Sequence, residues 1–330
     1  MSTIAVIGDG GWGTALALTL QRNGHQVRVW SAFAENVAAI TSAGENSAFL
    51  PGVPLPPDLQ WTSEPAAALA GAELGVFVVP SRHAAAVLER FAPHWPAAFP
   101  LVIATKGFDP ATHLRTGEII ARRAPDLRLC VLSGPSHAEE VARGRPTAIV
   151  AAADDPALAT AAQNLFSNAT LRVYTSRDPI GVELGGALKN VMALALGIGA
   201  GLGYGDNARA ALLTRGLAEM TRLGVALGAQ AETFSGLSGL GDLIVTCTSP
   251  LSRNRQVGER LGRGETLPEI LDSMRQVAEG VTNCLVARAL AREQAIEAPI
   301  TEEVCAVLHE GKPPAEAVPA LLERPLRHES

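Results

Sequence analysis

With 330 residues, 47% of them hydrophobic, the chain is long for one core and sufficient for two, without help from disulfides or metal. Its 27 Lys and Arg against 33 Asp and Glu leave a net charge of −6; with no Lys/Arg block, this argues against a general nucleic-acid binder. Four cysteines (Cys130, Cys247, Cys284, Cys305) stand far apart without a C-x-x-C, and the seven histidines lack ligand spacing, so free thiols in a reducing compartment and no metal site are expected.

The opening MSTIAVIG enters a strand at once, with no basic n-region or cleavage site. Residues 4–7 are an apolar run ending at Gly8. Residues 14–22 have helical character and close on the turn dipeptide Asn23-Gly24. Residues 27–30 form the next strand, and 51–57 read as a Pro-rich surface loop. Continuous apolar runs at 74–79, 101–104, 129–132 and 148–151, each followed by turn residues, suit parallel strands covered on both faces. Strand–helix alternation of this kind implies a doubly wound sheet. After about Asp178 the texture changes to helical stretches at 181–202, 208–227, 267–274, 282–294 and 301–308. The most apolar of these, 191–202, is too short to span a bilayer. The expectation is a Rossmann-like α/β domain over residues 1–178, an all-α domain over 179–330 with a frayed tail at 327–330, and a cytoplasmic protein without a membrane partner.

Gly8-Asp9-Gly10-Gly11-Trp12-Gly13 matches G-x-G-x-x-G between a predicted strand and a predicted helix. Gly8 permits the tight turn, Gly10 leaves room for a pyrophosphate, and Gly13 lets the helix pack closely on the strand. The helix N-terminus then offers N–H groups to phosphate. The plain alternative is a glycine-rich turn without ligand, and Trp12 is either core or a wall of the pocket. At the end of the second strand the sequence reads Val29-Trp30-Ser31-Ala32-Phe33. The acid that would take a ribose 2′-hydroxyl is missing, as is an Arg for a 2′-phosphate. The choice between NADH and NADPH is therefore left open.

Ligands in open α/β sheets bind beyond the carboxyl ends of the strands. Thr105-Lys106-Gly107 and Ser133-Gly134-Pro135-Ser136 stand at two such ends. Lys106 is placed to meet an anion or a developing oxyanion; the alternative is a surface lysine. Lys189 lies in Glu183-Leu184-Gly185-Gly186-Ala187-Leu188-Lys189-Asn190-Val191, an apolar helix of small residues. Desolvation and a nearby cation would lower its pKa toward neutrality and make it a general acid or base, unless it snorkels to water. In the helical half, Asp242 of Ser238-Gly239-Leu240-Gly241-Asp242-Leu243 either caps a helix or accepts from Lys189 or a hydroxyl. Ser252-Arg253-Asn254 offers the donors a phosphate wants, or else a polar turn at a helix start.

The strings IGDGGWGTALA, FLPGV, VVPS, ATKG, SGPSHAEEVARGRPTA, GVELGGALKNVMALALGI, NARAALLTRGLAEM, GLGDLIVTCTS, SRNRQVG and PITEEV, in this order, cover nearly the whole chain. Together they resemble the bacterial-type NAD(P)-dependent glycerol-3-phosphate dehydrogenases. The resemblance implies reversible reduction of dihydroxyacetone phosphate to sn-glycerol 3-phosphate, feeding glycerophospholipid synthesis. By motif, it implies that Lys189 is the proton acceptor in oxidation. Lys106, Gly134 and Ser136 would line the substrate and nicotinamide, and Asp242, Ser252, Arg253 and Asn254 would hold the glycerol and phosphate ends. Gly11, Trp12, Ala138, Arg253, Val277 and Glu279 would contact the cofactor. Ala32 and Phe33 depart from the pattern, since many relatives carry His or Arg there. A homodimer is compatible with apolar helix faces. Two other readings stay open from the residues alone: a two-domain dehydrogenase acting on a hydroxy or sugar acid, and a nucleotide-binding redox sensor without turnover.

Overall fold

A computed structural model describes residues 1–274 and 278–322. Its strands are β1 (Thr3–Ile7), β2 (Gln26–Trp30), β3 (Gln60–Thr62), β4 (Leu74–Phe77), β5 (Pro100–Ile103), β6 (Arg128–Ser133), β7 (Thr147–Ala152) and β8 (Leu171–Ser176). They form one sheet in the order β3-β2-β1-β4-β5-β6-β7-β8. The central strands are the continuous apolar runs, and they are buried on both faces because helices cover both. Helices Gly11–Arg22 and Pro156–Phe166 pack on one side. Helices Ala84–Phe91 and Thr116–Arg123 pack on the other.

Three features differ from the sequence reading. The β6–β7 pair is antiparallel: the intervening helix, Ala138–Ala142, has five residues, too few to carry the chain back across a sheet face. The edge strands β3 and β8 lack a continuous apolar run; β8 buries Leu171 and Val173 and exposes Arg172 and Tyr174. The 51–57 stretch is not wholly at the surface, since Val53 is buried and an isolated bridge joins Glu45 to Pro54.

Beyond β8 the described residues are helical. The central element is helix Pro179–Gly201, buried from Gly181 through Gly199. Its start is fixed by Asp178, whose Oδ1 accepts from Gly181 N at 2.8 Å, while Oδ2 accepts from Thr233 Oγ1 at 2.6 Å. By length and composition it could cross a membrane, but 83% of its apolar window is buried inside the molecule, as in a core helix. It runs alongside helix Arg253–Gly262 at backbone contact: a Cβ on Gly258 would lie 2.2 Å from Leu194 O, and one on Gly262 2.4 Å from Ile198 O. The two halves are joined through Glu183, which accepts from Arg115 Nη1 and Gly117 N, each at 2.8 Å. Burial raises the pKa of the Glu183 carboxyl, with the Arg115 guanidinium opposing the shift.

Candidate active site

The glycine loop connects β1 to helix Gly11–Arg22 at the carboxyl edge of the sheet. Gly8 sits at φ +127°, where a Cβ would lie 2.7 Å from Val78 O; only glycine fits that turn. A Cβ on Gly13 would lie 2.1 Å from Gly8 O, so the helix begins in contact with the strand end. At Gly10, by contrast, a Cβ would meet nothing within 4 Å. Two glycines are thus required by protein packing, and Gly10 leaves open space above the helix N-terminus. Gly11 borders Ala138, the first residue of the helix after β6. Trp12 packs on the sheet core, with its buried Nε1 lacking a partner. Open space at Gly10, N–H groups at the start of a twelve-residue helix and an unsatisfied indole donor fit a dinucleotide pyrophosphate.

Further along the same carboxyl edge of the sheet, Thr105 Oγ1 donates to Val79 O at 2.8 Å and ties the loops after β5 and β4 together. This fixes the backbone that carries Lys106. Its Nζ donates to Gly134 O at 2.9 Å, Ser136 Oγ at 3.1 Å and Asp242 Oδ2 at 3.0 Å. Lys189 comes from the central helix and reaches the other oxygen, Asp242 Oδ1, at 2.5 Å. The glycine pair before it makes room: a Cβ on Gly186 would lie 2.8 Å from Ser133 Oγ, and one on Gly185 2.4 Å from Ser238 O. Lys189 and Asp242 are almost fully buried. Burial pulls the Lys189 ammonium down to about 7; Asp242 opposes the shift and Lys106 reinforces it.

Asp242 opens helix Asp242–Thr248 but does not cap it with its side chain; its carboxylate is taken by the two lysines. Ser252 and Asn254 are engaged within the protein. Ser252 Oγ accepts from Arg255 N at 3.2 Å as the cap of helix Arg253–Gly262. Asn254 Oδ1 accepts from Gly280 N at 2.9 Å and its Nδ2 donates to Asn190 Oδ1 at 3.0 Å. Arg253 is the exposed first residue of that helix, and its charge acts on Glu279. Burial raises the pKa of the Glu279 carboxyl, and Oε1 accepts from Ser81 N at 3.5 Å, linking the helical half to the loop after β4. Val277 lies outside the described residues.

Sequence reasoning passes over three nearby groups. His137, between Ser136 and Ala138, has a buried Nε2 without partner, and burial, then Lys189, lower its pKa. Ser133 Oγ is likewise buried without partner. Asn283 bridges the halves by accepting from Phe108 N and donating to Ala187 O, both at 3.3 Å. His137 and Ser133 stand inside or beside strings already singled out, so the signal was proximity; Asn283 carries no sequence signal because its role comes from packing alone.

A glycine loop of dinucleotide-binding pattern at the carboxyl edge of the sheet, with a buried cluster of two lysines on one carboxylate drawn from both halves of the chain, defines a two-domain NAD(P)-dependent oxidoreductase. The family models for the N-terminus and C-terminus of NAD-dependent glycerol-3-phosphate dehydrogenase match residues 3–159 and 178–319. A glycerol-3-phosphate dehydrogenase [NAD(P)+] of Moorella thermoacetica is 50% identical over 99% of this chain and 97% of its own length. One from Geobacter sulfurreducens is 50% identical over 99% and 98%. The crystal structure of glycerol-3-phosphate dehydrogenase from Coxiella burnetii superposes with a TM-score of 0.94 at 41% identity, covering 98% of this chain and 99% of that one. The chain belongs to the NAD-dependent glycerol-3-phosphate dehydrogenase family.

Proposed function

We propose that this chain interconverts dihydroxyacetone phosphate and sn-glycerol 3-phosphate, with Lys189 as the proton-transfer group. The observation that carries this reading is the buried Lys189 amine, poised near neutrality on a carboxylate it shares with Lys106. The reduced nicotinamide, when bound, supplies the hydride. Lys189 Nζ gives its proton to the ketone oxygen during reduction and takes it back during oxidation. Lys106 brings a fixed positive charge to where that oxygen becomes negative. Gly134 and Ser136, on Lys106 Nζ, line the same space. Asp242 orients both amines.

Arg253 and the N-terminus of its ten-residue helix take the substrate phosphate. Ser252 shapes that turn by capping it. Asn254 fixes it against Asn190 and Gly280 and keeps one amide hydrogen for an oxygen. Gripping the phosphate away from the reacting carbon orients the carbonyl. Gly8, Gly10, Gly11, Trp12 and Gly13, with Ala138, Arg253 and Glu279, form the cofactor side. Buried free cysteines are compatible with a cytoplasmic location, and the apolar helices with a homodimer.

The phosphate separates this reading from a hydroxy-acid dehydrogenase. The account expects kcat/KM for dihydroxyacetone phosphate to exceed that for dihydroxyacetone by at least about a hundredfold. Arg253→Ala should raise KM for the phosphorylated ketone at least about tenfold. Equal use of both ketones, or an unchanged KM, would overturn the assignment.

A further inference from the structure

The acid that the sequence lacks at the end of β2 is delivered there in space by a different loop. β1 and β2 lie side by side, with Ile7 opposite Trp30. Asp9, between the first two glycines, turns its half-buried carboxylate toward the β2 end, where Oδ2 accepts from Ser31 Oγ at 2.6 Å and from Asn36 Nδ2 at 3.0 Å. Ser31 is the first residue after β2, the place where an NAD-selecting acid ordinarily stands. The Asp9 backbone is also held: Asn46 Nδ2 donates to its carbonyl at 2.7 Å and to Thr14 Oγ1 at 2.8 Å. Two donors and a backbone clamp therefore fix one carboxylate oxygen. Among the described residues the other, Oδ1, has no hydrogen-bond partner. Phe33, whose backbone N–H donates to Ser31 Oγ at 3.2 Å, is 57% exposed, an apolar surface of the kind a nucleobase covers.

A cation does reach this corner, from the opposite face of the sheet. Arg90 donates to Ala32 O at 3.2 Å and Ser63 O at 3.0 Å, and its guanidinium lies 5.1 Å from the Trp30 ring centroid. Those contacts hold it on the carbonyls, whereas Asp9 belongs to the glycine loop itself.

We propose that Asp9 decides the cofactor preference: its carboxylate accepts the adenosine ribose 2′-hydroxyl of NADH and repels the 2′-phosphate of NADPH. This rests on the reading of the glycine loop as the dinucleotide cradle. A hydroxyl can donate to a carboxylate oxygen, whereas a phosphate ester offers mainly acceptors and like charge. Selectivity then comes from one attraction and one repulsion at the same atoms.

The test is nucleotide binding without substrate. NADH and NADPH are titrated separately into the full chain, and dissociation constants are read from dihydronicotinamide fluorescence for wild type, Asp9→Asn, Asp9→Ser and Arg90→Ala. Wild type should bind NADH at least about tenfold tighter than NADPH. Both Asp9 variants should lose most of that ratio, chiefly by tightening NADPH, and NADH binding retained within about tenfold reports a folded loop. Arg90→Ala should leave the ratio in place. A wild-type ratio near one or favouring NADPH would overturn the proposal. So would an unchanged ratio in both Asp9 variants, or a ratio that moves only with Arg90→Ala. Failure of wild type to bind either nucleotide would instead overturn the cradle reading beneath it.

Discussion

Lys106 and Lys189 arise from different halves of the chain and end on the same carboxylate, Lys106 on Asp242 Oδ2 at 3.0 Å and Lys189 on Oδ1 at 2.5 Å. Lys189 is almost fully buried, so the charge on Lys106 is felt there. Only groups brought together by the fold can set the Lys189 amine near neutrality, far below its usual range.

The first prediction is a pair of opposed pH profiles. Lys189 is charged below about 7 and neutral above it. Ketone reduction needs the ammonium, so its kcat should fall as pH rises through that region. Alcohol oxidation needs the amine, so its kcat should rise through the same region. Limbs of the same sign in both directions would remove Lys189 as the shared acid and base.

Asp242→Asn should shift these limbs to lower pH, because Asp242 is the influence that holds the Lys189 proton against burial. It should also leave two closely placed cations without their anion. Removing one partner from a buried ion pair costs about 3–5 kcal/mol. Thermal unfolding should therefore show a clear drop in Tm, and a pH–rate profile displaced upward would contradict the assigned role.

Gly10→Val separates packing from binding. A Cβ at Gly10 meets no protein atom within 4 Å, so stability should change by no more than about 1 kcal/mol, the scale of an N-cap substitution. Nucleotide affinity should nevertheless fall by at least about tenfold. Gly13→Ala, with its Cβ 2.1 Å from Gly8 O, should behave oppositely and cost stability first. Unaltered nucleotide binding by Gly10→Val would place the pyrophosphate elsewhere.

Glu183→Ala tests the joint between the halves. It takes from Arg115 its buried partner, since the guanidinium donates to Glu183 Oε2 at 2.8 Å and is largely buried, and leaves it only the half-exposed Glu118 at 3.4 Å. A loss of about 3–5 kcal/mol is expected, and a smaller loss for Glu183→Gln, which keeps an oxygen for Gly117 N. Denaturant unfolding measures both. Equal losses would show that the charge alone holds the joint, and a Glu183→Gln protein as stable as wild type would show that the ion pair does not.

The central sheet was legible because β1, β4 and β5 are uninterrupted apolar runs ending in turn residues, and the glycine loop because its context is local. The edge strands were not: β3 has three residues and β8 alternates, so neither carries a run. Lys106 and Lys189 could be singled out one at a time from their apolar surroundings. Their meeting on Asp242 spans residues 106 to 242, a separation that no spacing rule encodes. Asp9 carries no signal of its own between the glycines, because its partners, Ser31, Asn36 and Asn46, assemble only when β2 lies beside β1.

The most direct test of the account is steady-state oxidation of the dihydronicotinamide by purified protein with dihydroxyacetone phosphate, comparing wild type with Lys189→Ala. Turnover by wild type that falls by about 10²–10⁴ in kcat in the variant, with both proteins folded and nucleotide affinity retained, is the predicted result. Absence of turnover by wild type, or a Lys189→Ala enzyme as fast as wild type, would contradict it.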